Sequence, residues 1–206
     1  MAYPTVSAPY GFKPYNLIGG RVFAGSTRQL PIAIGNATAI YTGDIVIMSS
    51  NGTVTLAVLT ATAVNVAGIF LGCSYLNSAG QRIYAQYIPA TIPTGNSDTV
   101  YNNQVWAYVA DDPLLVMKVA VVSGTTTMSA HDRTNVGNNV PFVANAGSTI
   151  TGDSAMAILS TAATTTTLPL RIVDVVPDTV QSNGSYTEFL VMWNPVVHMY
   201  TGPAGV

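Results

Sequence analysis

From Tyr101 to Val122 the chain reads Tyr-Asn-Asn-Gln-Val-Trp-Ala-Tyr-Val-Ala-Asp-Asp-Pro-Leu-Leu-Val-Met-Lys-Val-Ala-Val-Val, and no other stretch restricts the fold as much. Two runs rich in β-branched and aromatic residues flank Ala110-Asp111-Asp112-Pro113, where carboxylates can accept bonds from nearby amides and proline fixes φ. The pattern predicts strand, tight turn, strand. From Leu114 to Val122 the only polar residue is Lys118, so both faces of the second strand are apolar and both require cover. A hairpin at the core is expected, or one that a neighbouring subunit completes.

That need for cover extends to the whole surface. Charged residues make up 8% of the 206-residue chain, against roughly 25% in ordinary soluble domains. A net charge of -2 gives a monomer little electrostatic help with solubility, so an assembly is the expected setting. The seven basic residues, Lys13, Arg21, Arg28, Arg82, Lys118, Arg133 and Arg171, form no run with interleaved aromatics, and nucleic acid is not an expected partner. Leu56 to Gly72 is uncharged but contains Thr60, Thr62 and Asn65 and has no basic flank; two strands are expected there, with no membrane span. The first residues lack the basic-then-apolar pattern of a secretory signal, which makes the cytoplasm the expected site of synthesis.

Residues 1–20 hold Pro4, Pro9 and Pro14 among Tyr3, Tyr10, Phe12 and Tyr15. Such spacing excludes a helix and predicts an extended arm, which packs back on its own domain or reaches a neighbouring subunit. About sixteen extended residues span on the order of 50 Å, enough for the second option. Residues 21–206 form the β domain, with a possible division into two small subdomains near 90–103, where the chain is Pro, Thr, Gly, Asn and Ser. Arg28 to Ile34, interrupted by Pro31, is expected at an edge. Asn51-Gly52, between Ile45-Val-Ile-Met and Thr53 to Leu59, is a strong hairpin signal. Val66 to Tyr75 pairs with Gln81 to Ile88; further strands are expected at Val140 to Val143, Leu168 to Val176, Glu188 to Trp193 and Val196 to Tyr200. Ser123 to Asn139 has no sustained period and is a long loop of the kind a partner orders. Ala155 to Ala163 suits a turn of helix or a strand equally. About ten short strands with frequent turn signals give an all-β fold, an antiparallel β-barrel or sandwich with long loops, an extended N-terminal arm and little or no helix.

Residues that could carry chemistry are few. Cys73, the only cysteine, lies in an apolar run far from either histidine and is expected to be a small buried hydrophobe. His131 in His-Asp-Arg fits a polar turn, and His198 alternates with apolar neighbours. Asp44, Asp111, Asp112 and Asp153 stand where turns need them, with no calcium-loop spacing. No phosphate-binding glycine loop or nucleophile elbow is present. No catalytic residue, metal or cofactor is assigned. Trp106, Trp193 and eleven tyrosines could supply stacking platforms of a carbohydrate-binding module, yet both tryptophans lie within predicted strands, where burial is expected.

Tyr10-Gly-Phe-Lys-Pro, Tyr41-Thr-Gly-Asp-Ile-Val, Tyr108-Val-Ala-Asp-Asp-Pro, Val136-Gly-Asn and Ser160-Thr-Ala-Ala-Thr-Thr-Thr-Thr-Leu-Pro-Leu-Arg-Ile-Val occur here in that order. From about Tyr10 to His198 the sequence thereby resembles a family of tailed-bacteriophage capsid decoration, or cement, proteins. The resemblance implies a structural virion protein on the outside of the capsid, holding the major capsid protein and copies of itself, as dimer or trimer, around a symmetry axis. Within that expectation Tyr10, Phe12 and Tyr15 of the arm, and Thr127, His131 and Arg133 of the long loop, are the candidate contacts. A tail-tube or head-tail connector protein is the alternative, though a tube subunit should carry a helix of clear 3.6 period.

Overall fold

A computed structural model describes residues 8–33, 36–58, 65–77, 79–90, 105–180 and 186–203. Most of the Pro, Thr, Gly, Asn and Ser segment near 90–103, the first seven residues of the arm, and the beginning of the Tyr101 to Val122 stretch lie outside the described residues. The strands are β1 (Lys13–Leu17), β2 (Arg28–Pro31), β3 (Ile40–Tyr41), β4 (Ile45–Met48), β5 (Val54–Leu56), β6 (Val66–Leu76), β7 (Arg82–Ala85), β8 (Tyr87–Ile88), β9 (Trp106–Ala110), β10 (Leu115–Val122), β11 (Asn139–Val140), β12 (Phe142–Val143), β13 (Ala157–Leu159), β14 (Leu170–Val175) and β15 (Glu188–Trp193). Among the described residues the only helix is two single 3-10 turns, Arg133–Asn135 and Pro177–Thr179. The fold is all-β, as the sequence predicts.

β10 organises the larger sheet. One edge pairs β15 antiparallel from Val116 to Ala120, and the other pairs β1 antiparallel at Leu115 to Lys118, then β13 in parallel at Val121 and Val122. β11 and β12 are halves of one extended stretch broken at Pro141. The first half pairs β14 and the second β13, so the order β11-β14-β15-β10-β13-β12 returns to its start and the sheet nearly closes as a barrel. Leu115, Met117, Val119 and Val121 fill the interior with Phe142, Ile158, Ile172, Phe189 and Trp193. The other face of β10 is covered as well: Ala120 and Val122 pack with Met128, Val143 and Ala157. This is why the strand is apolar throughout.

The second sheet runs β2-β9-β6-β4-β5, with β7 also on β6. β4 and β5 form the expected hairpin, and Gly52 takes the left-handed conformation its turn requires (φ 77°). β2 is an edge strand carrying Pro31, also as expected. Ile45, Val66, Ile69 and Ala110 of this sheet join the barrel residues in one buried cluster, so the core is continuous across both sheets.

Two expectations are corrected, the hairpin around Asp111 and a last strand at Val196 to Tyr200. β9 pairs β2 and β6, whereas β10 pairs β1, β13 and β15, so the stretch around Asp111 is not a hairpin. It is a corner that passes the chain from one sheet to the other. Asp112 fixes it: Oδ1 accepts from the Leu114 amide (2.8 Å) and its carbonyl from the Leu115 amide (3.1 Å). Turn residues determine a local bend but not which strands pair, and here longer-range partners outcompete the neighbour in sequence. Of the two courses open to the arm, residues 8–17 take the first and pack back on their own domain. Gly11 N donates to the Met156 carbonyl (3.0 Å), Phe12 N to the Gly43 carbonyl (2.9 Å), and β1 completes the start of β10. Ala155 to Ala163 contains a strand, β13, and Val196 to Tyr200 is a turn with one bridge, His198 to Val66, in place of a last strand.

Candidate functional site

The candidate contacts fall into three groups. Phe12 has no exposed surface and belongs to the main core, so in this conformation it cannot meet a partner. Tyr10 is half-buried against the cluster of Ala120, Val122, Met128, Val143 and Ala157. Its hydroxyl donates to Glu188 Oε1, while Lys118 Nζ lies 3.4 Å from Glu188 Oε2. The Lys13 and Lys118 ammonium groups stand 5.0 and 5.6 Å from the Tyr10 ring centroid. Burial, with the carboxylate beside it, holds the Tyr10 phenol protonated far above its ordinary range. The arm is therefore latched to the body by a buried carboxylate that Lys118, the one polar residue of β10, neutralises.

His131 is anchored to the residue beside Glu188. Its amide donates to Thr187 Oγ1 (2.8 Å), and Thr187 Oγ1 donates back to the His131 carbonyl (3.1 Å). Asn135 Nδ2 donates to His131 Nδ1 (2.9 Å), which places the ring proton on Nε2, facing Ser129 Oγ at 3.4 Å. Burial lowers the imidazole pKa, opposed by Asp132. The start of β15 thus brings together Tyr10 and His131, 121 positions apart, as structural anchors of arm and loop. Tyr15, Thr127 and Arg133 are exposed and belong to no common cluster; Arg133 Nη1 pairs with Asp174 Oδ1 at 2.7 Å.

Tyr41-Thr-Gly-Asp44 marks a second junction. Asp44 is 1% exposed; its Oδ2 accepts from the Tyr41 amide (2.8 Å), and the Ser154 hydroxyl lies beside the carboxyl. Gly43 accepts from Phe12 and donates to Phe70, while Ser154 N donates to Thr42. Arm, second sheet and barrel meet at this turn. Burial outweighs these hydrogen bonds and raises the Asp44 pKa to about 6.

The remaining chemical candidates are quiet. Cys73 is buried and donates weakly to the Ala85 and Tyr87 carbonyls, and burial pushes its thiol up to about 12. His198 is fully buried, with Nδ1 accepting from the Tyr200 amide and its pKa lowered to about 4 by burial. Among the described residues no three His, Cys, Asp or Glu side chains gather as a metal site, and no helix is long and apolar enough to cross a membrane. No protein-family model, curated protein or solved structure matches the chain.

One surface escaped the sequence reading. Trp193 is buried as expected, but Trp106 is only half-buried and lies with Tyr108 on the side of β9 opposite the core residues Ala107 and Val109. The strict alternation of Trp-Ala-Tyr-Val was the available signal.

Proposed function

We propose that this chain is a structural virion protein that binds the outside of a tailed-phage capsid and stabilises the major coat protein lattice, alongside copies of itself around a symmetry axis. The observation that carries this reading is a weakly charged surface with large apolar side chains presented on turns, on connecting segments and on β1. Ile150 is 94% exposed, at the tip of a turn closed by Gly152 N to Ser148 O (2.8 Å); Val22, Val58 and Tyr15 are also largely exposed. Three ion pairs, Arg28–Asp111, Lys118–Glu188 and Arg133–Asp174, engage six of the few charges internally.

Such side chains form small apolar contacts, each weak, which act together when a lattice presents many at fixed spacing. β1 carries Pro14 and a register shift between Pro14 and Asn16, and β2 carries Pro31, so these two edge strands resist strand addition. Neighbours would be met by side chains. Tyr15, Thr127 and Arg133 remain the candidate contacts from the sequence, and Ile150 joins them.

Shells assembled from the coat protein alone, mixed with the purified chain and sedimented, test the reading. The chain should co-sediment and raise the temperature at which shells disrupt, and Ile150→Ser with Tyr15→Ala should weaken both effects. A chain that stays in the supernatant would overturn it.

A further inference from the structure

The outward face of the second sheet holds a trough whose shape follows from strand register. Tyr84, Ser74, Trp106 and Pro31 lie side by side across β7, β6, β9 and β2; Gly72, Tyr108 and Gln29 form the next row, across β6, β9 and β2. Residues two apart on a strand share a face, and strands two places apart are separated by roughly 10 Å. Aromatic side chains of β7 and β9 therefore flank β6, which offers only Gly72 and Ser74 between them.

The groove beside Gly72 has a volume of about 290 Å³ and is lined by Leu71, Tyr84, Gln86 and Tyr108 together with the backbone of β6 and β7. A Cβ at Gly72 would stand 3.2 Å from the Ala85 carbonyl oxygen and 3.9 Å from Tyr108 Cδ2, so any side chain there would occupy the floor. Tyr84 is 71% exposed, and Gln29 and Gln86 are exposed too. Further along the same strands Ile69 and Ala110 enter the main core, which confines the open face to this trough.

The two rows contain no charged side chain. Arg82, at their border, has Nη1 turned to Ser74 Oγ at 3.2 Å. The one charge that reaches the rows is this guanidinium, which donates to Ser74, and no carboxylate stands in them. What the trough offers is aromatic surface, a carboxamide that both donates and accepts, and phenolic hydroxyls. That set matches a ring with one C–H face and a rim of neutral hydroxyls.

We propose that this trough binds a neutral saccharide, a pyranose ring lying between Tyr84 and Tyr108, next to Trp106 in the neighbouring row, with its hydroxyls toward Gln86. The site is separate from the capsid-contact reading and does not depend on it.

The test is titration of the intact chain with maltohexaose, cellohexaose and chitohexaose, with tri-galacturonate as an anionic control, followed by calorimetry and tryptophan fluorescence. Because Trp193 is buried in the barrel, a ligand-induced change reports Trp106. At least one neutral hexasaccharide should bind saturably and shift the emission, and tri-galacturonate should not. Tyr84→Ala, at an exposed position where the fold is expected to survive, should weaken binding by about tenfold or more, while Tyr84→Phe retains most of it. No saturable binding of any neutral hexasaccharide at millimolar concentration would overturn the proposal, as would equal binding by Tyr84→Ala. So would a Tyr84→Ala variant that loses capsid attachment while the wild type binds no sugar, which would assign the face to a protein neighbour.

Discussion

The Tyr10 hydroxyl donates to the Glu188 carboxylate, joining positions 178 residues apart and holding the N-terminal segment against the last strand of the barrel. A bond to a charged, buried acceptor contributes about 2 kcal/mol. Tyr10→Phe keeps the ring and its packing and removes the donor, so urea denaturation should show about that loss, with a melting temperature lower by about 4–8 °C. An unchanged midpoint would mean that Lys118 alone satisfies Glu188.

Asp44 and His198 give opposing pH dependences. The folded Asp44 pKa, about 6, lies above its ordinary 3.8, so its contribution is complete below pH 4 and is lost as pH rises through 6, a change of about 3 kcal/mol. The folded His198 pKa, about 4, lies below 6.5, so its contribution is present above pH 6.5 and is lost as pH falls through 4, by a similar amount. Across pH 4 to 6.5 these two slopes nearly cancel. Asp44→Asn should make stability rise with pH over this window relative to wild type, and His198→Gln should make it fall. Thermal melts at four pH values check the sign; parallel curves for all three proteins would contradict it.

Two glycines should respond very differently to alanine. Gly68 in β6 has φ 148°, and a Cβ there would lie 2.2 Å from the Ala110 carbonyl oxygen, where β6 and β9 approach the barrel. Gly68→Ala should cost about 3 kcal/mol or more, or prevent folding. Gly52 in the β4–β5 turn has φ 77° but open space around it, and Gly52→Ala should cost only about 1 kcal/mol. Circular dichroism melts of both variants make the comparison, and equal costs would show that conformation alone, not the close approach at Ala110, sets the penalty.

Local signals in this sequence were dependable and long-range ones were not. Asn51-Gly52 and the prolines in β1 and β2 act through φ or a missing donor, effects confined to a few residues, and each stands where its chemistry requires. The strand content was legible for the same reason. The corner at Asp112 was not, because the apolar run from Leu115 to Val122 is equally suited to any apolar neighbour, and it is β1, β13 and β15 that supply the cover. Phe12 and Tyr15 look alike in sequence, and only the Phe12 amide's bond to Gly43 and its place in the core show that one is interior and the other is not. Residue type alone places Trp106 in the interior, while its alternation with Ala107 and Val109 puts it on the opposite face.

The proposed place on a capsid lattice is tested most directly by quantitative mass spectrometry of DNA-filled particles from the proposed source phage. A cement protein should be present at a ratio to the major capsid protein near one, or at a simple fraction such as one to two. A few tens of copies per particle or fewer would move the chain to the tail or connector, and its absence from purified particles would contradict the virion reading altogether.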